Sequence, residues 1–265
     1  ALSPIGLPAG KDAWSFRMPQ SNGVMANAMV AHMVKNGVKS IGFLGYTDAY
    51  GEQWLQALTP LLEKAGIKIV ANERYNQNDT SVTGQVLKLI AAKPEVVFIA
   101  GVAADAALPH TQLADAGFKG AIYHTHGAAS PAYIKIGGKK VEGALIVGPL
   151  LVVPDEIPDS FPSKKTTVEF VAAYEKQFGA RPPIFAAGTY DAGLMLTHAL
   201  PEAARKAKPG TPEFRAALRD ALEGTRELIV SQGVVTMTPQ DHSGFDHRGR
   251  VLVTVKDGKF VLVKD

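Results

Sequence analysis

Apolar positions along the chain fall into two alternating spacings. Short continuous runs at residues 40–44, 67–70, 96–100, 121–124 and 141–148 have the length and bounding turns of strands buried on both faces. Between them the apolar residues recur every three to four positions. Met25, Ala28, Met29, His32 and Met33 predict a helix over 22–36. Trp54, Leu55, Leu58, Leu61, Leu62 and Ala65 predict one from near Tyr50 to Gly66, with Pro60 expected to kink it. Val82, Val86, Leu89 and Ile90 predict a third, and a fourth separates the run at 96–100 from Gly117. Residues 153–165 turn to Pro, Asp, Ser and Lys, the texture of a surface connection. Helices follow at 166–178, at 184–207 with Pro201 expected to interrupt it, and at 211–222 with Thr211 as cap. The end of the chain is a hairpin, 250–255 and 259–263 flanking Asp257-Gly258, a two-residue type I′ signal.

Strand and helix in alternation argue an α/β fold with a doubly wound parallel sheet. In such sheets ligands bind beyond the carboxyl ends of the strands. That rule singles out the loop in KSIGFLGYTDAYGEQW at 39–54, the loop GVAAD after the strand at 96–100, and His124 and His126 after the strand at 121–124. An imidazole there can donate a hydrogen bond to a carboxylate, and Tyr46 and Tyr50 can supply apolar area and an O–H. The reading that His124 only meets backbone carbonyls, and that the tyrosines only cover core, is equally open from the residues alone.

Composition narrows the class more than it defines it. With 265 residues, 46% of them hydrophobic, the chain can bury one large core or two smaller ones. The net charge of +3 comes from 28 basic and 25 acidic residues interspersed along the chain, so no nucleic-acid stripe is present. Zero cysteines exclude disulfides and thiolate metal sites. No apolar run approaches the ~18 residues of a membrane span. The opening Ala-Leu-Ser-Pro looks like the end of a strand entering a loop.

Gly42, Gly45 and Gly51 surround a strand-to-helix turn, but their spacing fits neither GxGxxG nor GxxxxGK[ST]. GxSxG and HExxH are both missing, and no catalytic pair of carboxylates converges in the sequence. Asp241, His242, Asp246 and His247 in DHSGFDH could ligate a metal. Local backbone bonding in a turn-rich loop is the better account of them, so neither metal nor cofactor is expected.

GYTDAYGEQW at 45–54, YNQNDTSVTGQVLKLIAAKPEVVFI from Tyr75, QLADAGFKG from Gln112, AAYEKQFG from Ala172 and FAAGTYDAGLMLTHAL from Phe185 together resemble the periplasmic solute-binding proteins of ABC transporters, of the branched-chain amino acid (Leu/Ile/Val) type. The closing TPQDHSGFDHRGRVLVTVKDGKFVLV is similar to the branch whose members often take aromatic acids. The resemblance implies the type I periplasmic-binding-protein fold, with two Rossmann-like lobes built of parallel sheets flanked by helices. It places residues 1–18 and 151–247 in a first lobe, incomplete because the family begins with further elements, and 19–150 with 248–265 in a second. It implies a periplasmic, monomeric, non-enzymatic protein that closes by hinge motion on a small molecule and presents it to a membrane permease. Carried over by position, Ser3 and Gly6 hold a ligand carboxylate, Tyr50, Val102, Ala103 and His126 line the second lobe, and Phe185 returns an aromatic ring from the first. Amino-acid binders place an acid where this chain has His126, so the resemblance implies a small, aromatic carboxylate ligand, with an amino acid or a ligand-sensing regulatory role as alternatives.

Overall fold

The protein, seen here in a computed structural model, is described for residues 12–264. Its chain divides into two compact units, one running to Ser21 and resuming over Pro149–Arg250, the other covering Asn22–Gly148 and continuing from Val251.

The second of these is built on alternating helices and strands: α1 (Asn22–Lys35), β1 (Ser40–Tyr46), α2 (Ala49–Ala65), β2 (Lys68–Tyr75), α3 (Thr83–Ala91), β3 (Val96–Ala100), α4 (Ala103–Asp115), β4 (Ala121–His124), α5 (Pro131–Gly137) and β5 (Leu145–Gly148). Strands β1 to β5 are parallel in the order β2-β1-β3-β4-β5. Residues of β3 are buried along its whole length, as its unbroken apolar run requires. Right-handed crossovers put α2 on one face and α3, α4 and α5 on the other. Accordingly α1 packs on α2, while α4 packs on α3 and α5. Met25, Met29 and Met33 of α1 and Trp54 and Leu58 of α2 are fully buried.

The chain leaves β1 towards β2 on one side and returns to β3 on the other, so the strand order reverses between β1 and β3. That switch point is where a crevice opens at the carboxyl ends. Asp48 starts α2 there, its carboxylate accepting from the backbone N–H groups of Tyr50 and Gly51 at 2.9 and 3.3 Å.

The other unit contains α6 (Lys164–Phe178), α7 (Ile184–Lys206), α8 (Pro212–Glu223) and a short hairpin of β6 (Leu228–Val230) and β7 (Gly233–Val235). Met18, Met195, Val230, Val235, Met237 and Phe245 form its principal buried cluster. Buried Asp191 on α7 accepts from the backbone N–H groups of Ser231 and Gln232 at 2.7 and 3.1 Å, which fixes the hairpin turn against the helix. Strands β8 (Val251–Lys256) and β9 (Lys259–Leu262) then return to the large sheet, with β8 antiparallel to β5 and β9 antiparallel to β8.

Several expectations change. Pro201 does not interrupt α7, which runs unbroken through it; proline costs one N–H bond, and here it falls in the exposed final turns. Helix α2 spans Pro60 and is capped at Gly66, the bounds expected of it. Strand β2 extends to Tyr75, five residues past its apolar run, because pairing with β1 continues to Tyr46. Val141 belongs to a 3-10 turn, and β5 begins only at Leu145. The hairpin β6–β7, three residues a strand, was too short to leave a periodic signal. The terminal hairpin turn does carry positive φ at Asp257 and Gly258, +52° and +69°, as a type I′ turn requires.

Gly51 shows how tightly α2 begins against β1, since a Cβ there would lie 2.0 Å from the Tyr46 carbonyl oxygen. In α3, Gly84 has open space at the same point. Gly51→Ala should therefore lower unfolding free energy by about 2–3 kcal/mol through backbone displacement, whereas Gly84→Ala should raise it by up to about 1 kcal/mol through helix propensity. Urea denaturation of the two variants measures the contrast.

Candidate functional site

The carboxyl ends of β1, β3 and β4 are joined by a chain of hydrogen bonds. Thr125, fully buried just past β4, donates from Oγ1 to the Gly101 carbonyl at 3.1 Å. The Tyr50 hydroxyl lies 2.8 Å from the same Oγ1. Glycines allow this approach: a Cβ at Gly127 would come within 2.6 Å of the Tyr50 hydroxyl and 2.9 Å of the Gly101 carbonyl. A Cβ at Gly101 would meet the Tyr75 hydroxyl at 2.1 Å.

His126 opens the 3-10 turn after β4, over His126–Ala128. Its ring centroid is 5.6 Å from that of Trp54 and 6.5 Å from that of Tyr50, edge-on to the latter. It is 8% exposed. Burial among these rings pushes its pKa down to about 4, so it is neutral at pH 7. Its Nδ1 is buried without a partner. A buried lone pair is cheaper to leave unpaired than a buried N–H, so the proton belongs on Nε2. Burial likewise raises the Tyr50 phenol to about 12.

Behind this wall stands a second cluster. His124 Nε2 is 2.9 Å from His110 Nδ1, and the Tyr133 hydroxyl is 3.0 and 2.8 Å from the two nitrogens. His124 Nδ1 has no partner, so by the same reasoning Nε2 carries its hydrogen. His110 Nδ1 must then accept, with its own hydrogen on Nε2 facing the Lys140 backbone. Burial lowers the pKa of His110 to about 4 and that of His124 well below the usual imidazole value. One arrangement of neutral tautomers thus ties β4 to α4 and α5.

Beside these residues α4 begins, and Val102 flanks it without a side-chain cap. Its backbone N–H donates to the Tyr46 hydroxyl at 3.0 Å. Ala103 has φ of +47°, an uncommon conformation for a residue with a Cβ. Both are half-exposed. The carboxylates of these loops are engaged. Asp48 caps α2 and takes a bond from Gln77 at 2.7 Å, and Asp105 accepts from Tyr46 at 3.3 Å and from the Asn78 backbone at 3.4 Å.

Of the residues singled out in the sequence, Tyr50, Val102, Ala103 and His126 therefore stand on neighbouring strand ends of one unit. Phe185, in the first turn of α7, belongs to the other unit and is 54% exposed. Ser3 and Gly6 lie outside the described residues. Thr125 and Trp54 were missed; Trp54 was assigned only to a buried helix face, and Thr125, a lone hydroxyl between two histidines, carries no periodic signal. His242, a candidate metal ligand in the sequence, stacks on Phe16, and its Nε2 lies 3.1 Å from Glu223 Oε1. Among the described residues no group of His, Asp or Glu side chains is placed to hold a metal ion, and no helix is long and apolar enough to cross a membrane.

Residues 4–259 match the model of a family described as periplasmic binding protein. Among solved structures, Rp1789 of Rhodopseudomonas palustris strain CGA009 is 44% identical, with a TM-score of 0.93 over 98% of this chain and 73% of its own. An extracellular ligand-binding receptor from Rhodopseudomonas palustris HaA2 is 43% identical with the same TM-score and coverage. A putative branched-chain amino acid ABC transporter from Rhodospirillum rubrum is 27% identical, with a TM-score of 0.75 over 99% of this chain and 72% of its own. No curated protein matches the chain.

Three buried neutral histidines make stability depend on pH. Each has a folded-state pKa below the ordinary 6.5, so its contribution is complete above pH 6.5 and is lost as pH falls below it, towards about 4 for His110 and His126. Urea denaturation at pH 7.5 and pH 5.0 should show a loss of about 2 kcal/mol for each of His110 and His126, with His124 acting in the same direction, and His126→Phe should remove one such share.

Proposed function

The chain belongs to the periplasmic binding protein family, and from that premise we propose that it is the extracytoplasmic solute-binding component of an ABC importer, taking a small organic carboxylate with an aromatic body. The two compact units are read as its lobes, the unit with the five-stranded parallel core as the second lobe and the other as the first. On this reading the protein is a periplasmic monomer that delivers its ligand to a membrane permease and catalyses no reaction. Its relatives, described as an extracellular ligand-binding receptor and a putative branched-chain amino acid ABC transporter, support the transport role.

The observation that carries the choice of ligand is the neutral, buried His126. An α-amino acid brings an ammonium, and burying it without an opposing charge is costly. At the strand end where the resemblance expects an acid, this protein has an imidazole that burial keeps uncharged. The carboxylates of the flanking loops already hold donors of their own. His126 Nε2–H can instead donate to a neutral or anionic oxygen. The rings of Tyr50 and Trp54 beside it suit an aromatic body. Ser3, Gly6, Val102, Ala103 and Phe185 are assigned further ligand contacts on the resemblance, Val102 and Ala103 standing at the start of α4.

Calorimetry on the full-length protein tests this reading with a panel of aromatic carboxylates and branched-chain amino acids. The acids should bind and leucine and valine should not; binding of leucine or valine alone contradicts the proposed ligand class. His126→Ala should weaken acid binding by about tenfold or more through loss of a buried hydrogen bond. His32→Ala, on α1 and bonded to the Tyr123 hydroxyl at 2.8 Å, should leave it within about twofold.

A further inference from the structure

The hydrogens in the chain Tyr50–Thr125–Gly101 can be assigned by counting. A carbonyl oxygen only accepts, so the bond to Gly101 consumes the single hydrogen of the Thr125 hydroxyl. Thr125 Oγ1 then has only lone pairs to offer Tyr50, and the hydrogen between them must come from the phenol. Tyr50 has no second hydrogen. Its oxygen is left with lone pairs only.

We propose that Thr125 is a positioning residue of the ligand site, holding the Tyr50 hydroxyl as an acceptor so that a ligand group meeting it must be a hydrogen-bond donor or apolar. This inverts the role expected for Tyr50, which was to lend an O–H to the ligand. It also orients the ligand. A carboxylate or ether oxygen against Tyr50 would set lone pairs against lone pairs, so the carboxylate must lie away from this residue. Thr125 does not itself touch the ligand; it is fully buried and acts through Tyr50.

The inference rests on the aromatic-carboxylate reading for its probes. In the full-length protein, 4-hydroxybenzoate and 4-methoxybenzoate differ at one position by the presence of a donor. Wild type should bind the hydroxy acid about tenfold more tightly. Thr125→Ser, which keeps the hydroxyl, should preserve that ratio. Thr125→Val, which frees the phenolic hydrogen, should bring the two acids within about threefold of each other. A ratio in Thr125→Val equal to that of wild type, or a Thr125→Ser that behaves like Thr125→Val, overturns the proposal.

A second measurement needs no ligand. The Tyr50 hydroxyl proton should exchange slowly in NMR spectra and show a nuclear Overhauser effect to Thr125 in wild type and Thr125→Ser, but not in Thr125→Val. Failure of both acids to bind wild type overturns the aromatic-carboxylate reading alone. Absence of the slowly exchanging proton in wild type overturns the role given to Thr125.

Discussion

A threonine hydroxyl has one hydrogen to give, and in this protein that restriction organises the ends of three strands. Thr125 gives it to Gly101 beyond β3 and accepts from Tyr50 at the start of α2. The bonds hold because glycines at 51, 101 and 127 let backbone and side chains approach more closely than any Cβ would allow. Register follows from the same constraint: parallel pairing sets Ile99 beside His124, so Gly101 and Thr125 emerge next to each other. On the proposed reading the switch point between β1 and β3 supplies the place for a ligand, and these bonds determine which atoms are left over to meet it.

Burial determines their charge. His126 and the pair His110 and His124 are all held neutral by desolvation, with no acid among the described residues beside them to favour the imidazolium. The two clusters differ in use. His110, His124 and Tyr133 satisfy one another and brace β4 against two helices. His126 keeps one buried nitrogen without a partner, a departure from full hydrogen-bond satisfaction of the kind that accompanies functional sites. An uncharged donor next to aromatic rings favours an oxygen over an ammonium, which links a local dielectric effect to the choice of ligand.

Much of the sheet was legible because burial on both faces leaves no freedom of pattern: VVFIA can be little else than a central strand. The Asp257-Gly258 turn was legible because only a few residues tolerate its dihedrals. Tyr50 and His126 were placed by the rule that strands of such sheets present ligands at their carboxyl ends. What escaped the sequence was whatever depended on partners far along the chain. Thr125 acquires its role from residues 24 and 75 positions away. The positive φ of Ala103 leaves no trace in an alanine. Pro201 signals a break that the helix absorbs, because a single missing N–H bond costs less than the packing of Met195, Ala199 and Ala203 on the buried face. The neutral state of His126 was equally unreadable, since it depends on how completely Trp54 and Tyr50 exclude water from the ring.

That neutral state is the central claim, and the ring nitrogens report it directly. Heteronuclear NMR of imidazole 15N shifts in the full-length protein, titrated from pH 8 to pH 4, follows His126 alone once its signal is assigned with a His126→Phe variant. The account predicts a neutral ring with its hydrogen on Nε2 throughout the neutral range, protonating only near pH 4. A His126 that titrates at 6.5 or above, or that carries its hydrogen on Nδ1, would contradict it.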